Sequence, residues 1–134
     1  MSDDRTTVRD ELERVRRLCL ALPEVTERTS HGEAAWFVKK QFVMFADHHH
    51  DDRVGIWAAA PENAQARWLD VDPDRFFVPP YVGGRGWIGV YLDLPLTGTA
   101  AQAHRDDLAE IVEDAYRHVA TARLVRLLDT GTAD

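Results

Sequence analysis

Apolar residues recur at Val8, Leu12, Val15, Cys19 and Leu22, a spacing that puts them on one face of a helix turning about 100° per residue. The pattern predicts a first helix over residues 6–22. Thr6 or Thr7 would cap it, Asp10 and Glu11 would sit in its favourable first turn, and Pro23 would end it. Strands follow. "VTERTSHG" reads as a short, partly polar strand ending at Gly32. "AAWFVKKQFVMFA" holds two apolar runs around Lys39-Lys40-Gln41, the pattern of a tight hairpin. "DHHHDD" is the next turn and "RVGIWAAA" the strand after it. Phe42, Met44 and Ala46 alternate with Val43 and Phe45, so neither face is polar and this strand should be covered on both sides.

Pro61 suits the first position of a helix that continues through "PENAQARWLDV" and buries Ala64 and Trp68, with Val71 as a third candidate. Residues 76–78 form a further strand, and Pro79-Pro80 suit an edge or an exit from it. Residues 87–92 make the last strand, 95–102 a loop and 104–120 a helix that buries Leu108, Ile111, Val112, Ala115 and Val119. Leu124 and Leu127 are out of phase with that face. A break near Thr121, with Thr121 capping a short final helix, accounts for them. The order α-β-β-β-β-α-β-β-α-α implies an α+β fold of two layers: an antiparallel sheet of five to six strands backed by helices. Residues 1–134 read as one domain, with a loose tail at 129–134.

Composition narrows the function classes. With 45% hydrophobic and 29% charged residues over 134 positions, the chain can bury a core. No apolar run approaches the roughly 20 residues of a membrane helix, and the charged N-terminus has no apolar stretch of a signal peptide. The single cysteine, Cys19, falls on the apolar face of the first helix and suits a core position in a reducing, cytoplasmic setting. A net charge of -7 opposes non-specific coating of nucleic acid or anionic lipid. Lysine occurs only at Lys39 and Lys40, both in a predicted hairpin turn, and Arg85 occupies another. A winged DNA-binding protein places basic hairpin tips on the phosphate backbone, and this distribution permits that. Acidic turns nearby weaken it.

Candidate chemistry is sparse. Gly84, Gly86 and Gly89 match G-x-G-x-x-G, yet the third glycine sits in "WIGVYL", which alternates like a strand. The helix a dinucleotide fingerprint needs is missing. A glycine turn between strands is the better reading, with Gly89 marking close approach of a ring or backbone. "DHHHDD" has metal-ligand residue types, but neighbours in a strand point to opposite faces, so a solvated turn is expected and no metal. His31 lies beside Ser30 and Glu33 without the G-x-S-x-G context of a nucleophile, so no catalytic residue is assigned and no enzyme expected. Trp87 follows the glycine turn near Tyr81 and Arg85. A partly exposed group of this kind can stack on a base or another planar ligand.

"LPEVTERTSHGEAAWFV", "VGIWAAAP", "DRFFVPPYVGGRGWIGVYLD" and "EIVEDAYRHVA" together resemble the YjbR/MmcQ family over residues 18–128. The resemblance implies a compact α+β domain similar to frataxin (CyaY)-like and secretion-chaperone-like two-layer folds. It also implies the family's usual label, a DNA-binding protein with a double-wing arrangement. That label rests on fold analogy. The expected partner is therefore DNA, met through basic hairpin tips. The alternative is a small-molecule or protein ligand held by a wall of His31, Trp36, Tyr81, Arg85 and Trp87. The contact residues expected across both readings are His31, Lys39, Lys40, Arg53, Tyr81, Arg85 and Trp87, with no cofactor and a monomeric or weakly dimeric protein.

Overall fold

The computed structural model describes residues 4–48 and 52–131. The element order is the expected one: α1 (Asp4–Leu20), β1 (Thr26–Ser30), β2 (Glu33–Val38), β3 (Lys40–Asp47), β4 (Val54–Ala58), α2 (Ala64–Val71), β5 (Phe76–Phe77), β6 (Ile88–Tyr91), α3 (Gly98–Val119) and α4 (Ala122–Thr130). The strands form one six-stranded sheet in the order β1-β2-β3-β4-β6-β5, every neighbouring pair antiparallel. β1 and β5 are its edges. β6 returns between β4 and β5, so the last strand in sequence lies inside the sheet.

Helices α1 and α3 pack against one face of the sheet. Val15 and Cys19 of α1 and Leu108, Ile111, Val112 and Ala115 of α3 are buried there, as their periodicity requires. Burial pushes the Cys19 thiol far above its ordinary value, so it stays protonated as a small core residue. All five residues from Phe42 to Ala46 are buried, which fits a strand covered on both sides. Thr121 closes the break between α3 and α4: its side chain accepts a hydrogen bond from the Leu124 N–H at 3.3 Å.

Several boundaries differ from the sequence reading. Helix α1 already includes Thr6 and Thr7, so neither is its cap. Helix α2 starts at Ala64, with Asn63 at its cap in a left-handed conformation. Pro61 stands ahead of it and accepts from the Ala64 N–H at 3.0 Å. Val71 is 61% exposed at the end of α2 and is no core residue. Helix α3 begins at Gly98, inside the expected loop. Its first two turns are mostly exposed and carry no apolar phase to read, while three alanines favour helix. His49, His50 and Asp51 of "DHHHDD" and the last three residues of the tail lie outside the described residues. No helix among the described residues is long and apolar enough to cross a membrane.

Candidate ligand-binding site

Successive residues of a strand face opposite sides of a sheet. Phe45 and Ile56 are cross-strand partners in β3 and β4, on the side where α3 packs. Met44 and Trp57, the adjacent partners, face the other way and line a cavity of about 620 Å³. The cavity thus opens on the face of the sheet that α1 and α3 leave free. Gln41 lines it too, although a regular strand would turn residues 41 and 44 to opposite sides. The pairing explains this: Trp36 opposes Val43 but Phe37 opposes Gln41, so Phe42 is an extra residue, a β-bulge. Gln41 stays on the cavity side, and the Phe42 ring turns to Tyr116 of α3 at 5.8 Å, edge to face.

The segment between β5 and β6 supplies the rest of the enclosure. The chain leaves β5 at Pro79-Pro80 and makes one 3₁₀ turn at Gly83–Arg85. It straightens after Gly86, whose φ of 87° suits glycine. Tyr81, Val82, Arg85 and Trp87 of this segment line the cavity. Helix α2 holds it in place, because the Gln65 side-chain amide donates to the carbonyls of Gly83 at 2.9 Å and Trp87 at 2.6 Å. A Cβ on Gly83 would meet Val78 Cγ1 at 2.5 Å and force that exposed side chain to move, whereas Gly84 faces open space. The G-x-G-x-x-G match is therefore no dinucleotide loop: one short turn and a strand follow the glycines, not the helix such a loop requires.

Charge is one-sided in this cavity. Lys40, Arg85 and His31 are in the lining, and no aspartate or glutamate is among the described lining residues. Lys40 and Arg85 have no carboxylate partner among the described residues. Arg85 instead lies over the Trp87 ring, its guanidinium carbon 5.6 Å from the ring centroid. Met44, Val82 and the rings of Trp57, Trp87 and Tyr81 make the remainder apolar.

Of the expected contact residues, the structure brings together His31, Lys40, Tyr81, Arg85 and Trp87. Trp87 is only 6% exposed, more enclosed than the sequence suggested, yet it borders the cavity. Lys39 is exposed at the β2–β3 turn outside the lining. Arg53 does not join the cluster. It pairs with Asp93 at 2.9 Å and stacks over Tyr91 at 3.8 Å, beyond the other end of β4. Trp36 is no part of the wall either. It is fully buried and its Nε1–H donates to Glu27 at 2.9 Å, which in turn accepts from Arg16 of α1. Sequence reasoning missed Gln41, Met44 and Trp57 because their facing depends on the bulge and on strand register.

Other candidates resolve into local structure. His31, with φ 53°, and Gly32, with φ 81°, form the two-residue β1–β2 turn, where left-handed conformations are required. Ser30 Oγ lies 3.5 Å from His31 Nδ1, both at this turn. Among the described residues no three His, Cys, Asp or Glu side chains are placed to hold a metal ion. His104 of α3, unremarked in the sequence, is buried as a structural link. Its Nε2–H donates to the Tyr91 carbonyl at 2.7 Å and its Nδ1 accepts from Arg75 at 2.8 Å.

These features define a class: a two-layer α+β domain whose helix-free sheet face is partly enclosed by a proline- and glycine-rich segment. The chain belongs to the YjbR family, whose family model matches residues 20–118. That span contains every residue lining the cavity. The crystal structure of Deinococcus radiodurans protein DR2400, described as a DUF419 domain, is similar over 88% of this chain and 87% of that one, with a TM-score of 0.64. At 14% sequence identity that likeness shows the fold. Among curated proteins none matches.

Proposed function

We propose that the cavity is the working site and that this protein binds a small anionic molecule there without transforming it. The observation that carries this reading is a cavity of ligand size whose charged side chains are all basic. The chain as a whole carries -7, so a small anion is attracted by the cavity while an extended polyanion also meets the acidic remainder. Binding rather than catalysis is favoured because the Ser30–His31 pair has no carboxylate in the lining to orient the imidazole. Thermal unfolding in the presence of carboxylates and phosphates tests the proposal. A ligand at about 100 times its Kd stabilises by about 2.7 kcal/mol, which raises Tm by several degrees. The Lys40→Met/Arg85→Met double variant should lose that rise. If no anion raises the Tm of the wild type, or if the double variant responds equally, the proposal fails.

DNA binding stands second. Its support is that Lys39 at the β2–β3 turn, Lys40 at the start of β3 and Arg85 in the 3₁₀ turn are exposed with no carboxylate partner among the described residues. Arg53, held by Asp93, is withdrawn from that set. Fluorescence anisotropy with duplex and single-stranded oligonucleotides at 50 and 200 mM salt, roughly the range over which phosphate contacts weaken steeply, separates the readings. Binding at low salt that collapses at high salt supports DNA, and flat titrations at both remove it.

A further inference from the structure

The walls of the cavity differ in kind, and the difference bears on the class of ligand. The lining includes the indoles of Trp57 and Trp87. Tyr81 packs beside Trp57, with ring centroids 6.4 Å apart and planes inclined at 49°. Tyr81 is unusual twice over. Its residue is 86% exposed, the largest exposure among the exposed large hydrophobics. Its backbone is left-handed, at φ 65°, a conformation that a bulky residue adopts only at a cost. The Val82 N–H donates to the Pro80 carbonyl at 2.6 Å, closing a three-residue turn around Tyr81. With positive φ at its centre, this is the rarer and strained form of that turn.

Glycine would fit that backbone without strain, and an exposed ring gains little from packing. A tyrosine at this position therefore calls for another account. A planar ring held between two aromatic faces needs about 7 Å between them, two contact distances of about 3.5 Å. As they stand, the Tyr81 and Trp57 rings touch at a tilt, at the separation of a direct aromatic pair, and Trp57 is buried, so a ligand ring is admitted only where the exposed Tyr81 ring swings away from Trp57. Arg85 sits at the edge of the same aromatic wall, over Trp87, and Lys40 borders the cavity from β3. Taking the cavity as the working site, on which this step rests, we infer that the ligand is a planar aromatic ring system bearing one anionic group, a carboxylate or a phosphate. Tyr81 covers the ring against the tryptophans, and Arg85 and Lys40 take the charge.

Nitrogen-15 NMR of the full chain reads this directly, because the four indole N–H groups report different places. Trp57 and Trp87 are residues of the cavity lining. The Trp36 N–H is tied to Glu27 on the helix face, and Trp68 packs on Phe76. The probes are 2-naphthoate and AMP, their uncharged counterparts 2-naphthamide and adenosine, and the ringless anions acetate and inorganic phosphate. At least one aromatic anion should shift Trp57 and Trp87 but not Trp36 or Trp68. The matching neutral ring and ringless anion should bind about tenfold more weakly. A response to naphthoate alone assigns the carboxylate, and a response to AMP alone the phosphate. If ringless anions bind as well as aromatic ones, or neutral rings as well as charged ones, the ligand class is overturned while the cavity remains a binding site. If no probe moves Trp57 or Trp87 at millimolar concentration, the cavity reading falls with it. Tyr81→Gly isolates the cover: affinity for the aromatic anion should drop about tenfold while Tm holds or rises. Unchanged affinity in that variant overturns the role of Tyr81.

Discussion

At the scale of single residues, Gly89 shows how closely the fold is specified. It lies in β6 opposite Phe77 of β5, and any Cβ there would overlap the Phe77 ring. Phe77 also stacks on Tyr91 at 4.4 Å, so the ring is hemmed from two sides. Gly89→Ala should cost about 1–3 kcal/mol in urea unfolding, as overpacking does. Phe77→Leu in the same chain should recover part of that loss, a coupling a double-mutant cycle measures. A glycine interrupting an alternating apolar run already signalled a large neighbour, so this site was legible in the sequence. The tryptophans were not. Trp36 and Trp87 look equally eligible as residue types, yet one is tied to Glu27 on the helix side and the other borders the cavity. Which side each takes follows from strand pairing, and pairing is not a property of the residue.

At the scale of elements, α2 is more than a connection between β4 and β5. Its Gln65 side chain grips the 3₁₀ turn and the start of β6 at once. Gln65→Ala should leave the core intact but loosen the segment that carries Tyr81 and Arg85. Amide hydrogen exchange at residues 82–87 should accelerate, and affinity for any cavity ligand should fall, with Tm changed little. Protection of those amides equal to wild type would contradict this. Elements with an apolar face, α1 and the body of α3, were legible because burial imposes a period. The first turns of α3 and the true start of α2 were not, since exposed turns carry no period and Asn63 caps through its left-handed backbone, without a side-chain hydrogen bond. The bulge at Phe42 left no sign in a strand that is apolar on both faces.

At the scale of the whole molecule, a few polar links tie the layers together. Arg16 of α1, Glu27 of β1 and Trp36 of β2 form one chain of hydrogen bonds, and Arg75 joins His104 and Asp107 of α3 to the β5 side of the sheet. The hydrogen bond from Arg16, with that from Trp36, holds the Glu27 carboxyl below its usual range despite partial burial. A lowered value in the fold means the native state favours the carboxylate. Its contribution is complete above the ordinary glutamate pKa of about 4.3 and is lost as pH falls through the lower native value. Unfolding free energy measured from pH 7 to pH 2 should therefore fall less steeply at the acid end for Glu27→Gln than for wild type, from a lower plateau. Parallel curves would remove Glu27 from the account. The order of elements was legible throughout because each is set locally. The placing of β6 between β4 and β5 was not, since it pairs segments separated by a whole helix. The two edges of that sheet have a last consequence, for how copies of the chain meet. β1 is five polar residues, Thr-Glu-Arg-Thr-Ser, and β5 is two residues followed soon by a pair of prolines that lack N–H groups. Neither edge offers a long apolar template, so strand-to-strand zipping into aggregates is discouraged at both ends.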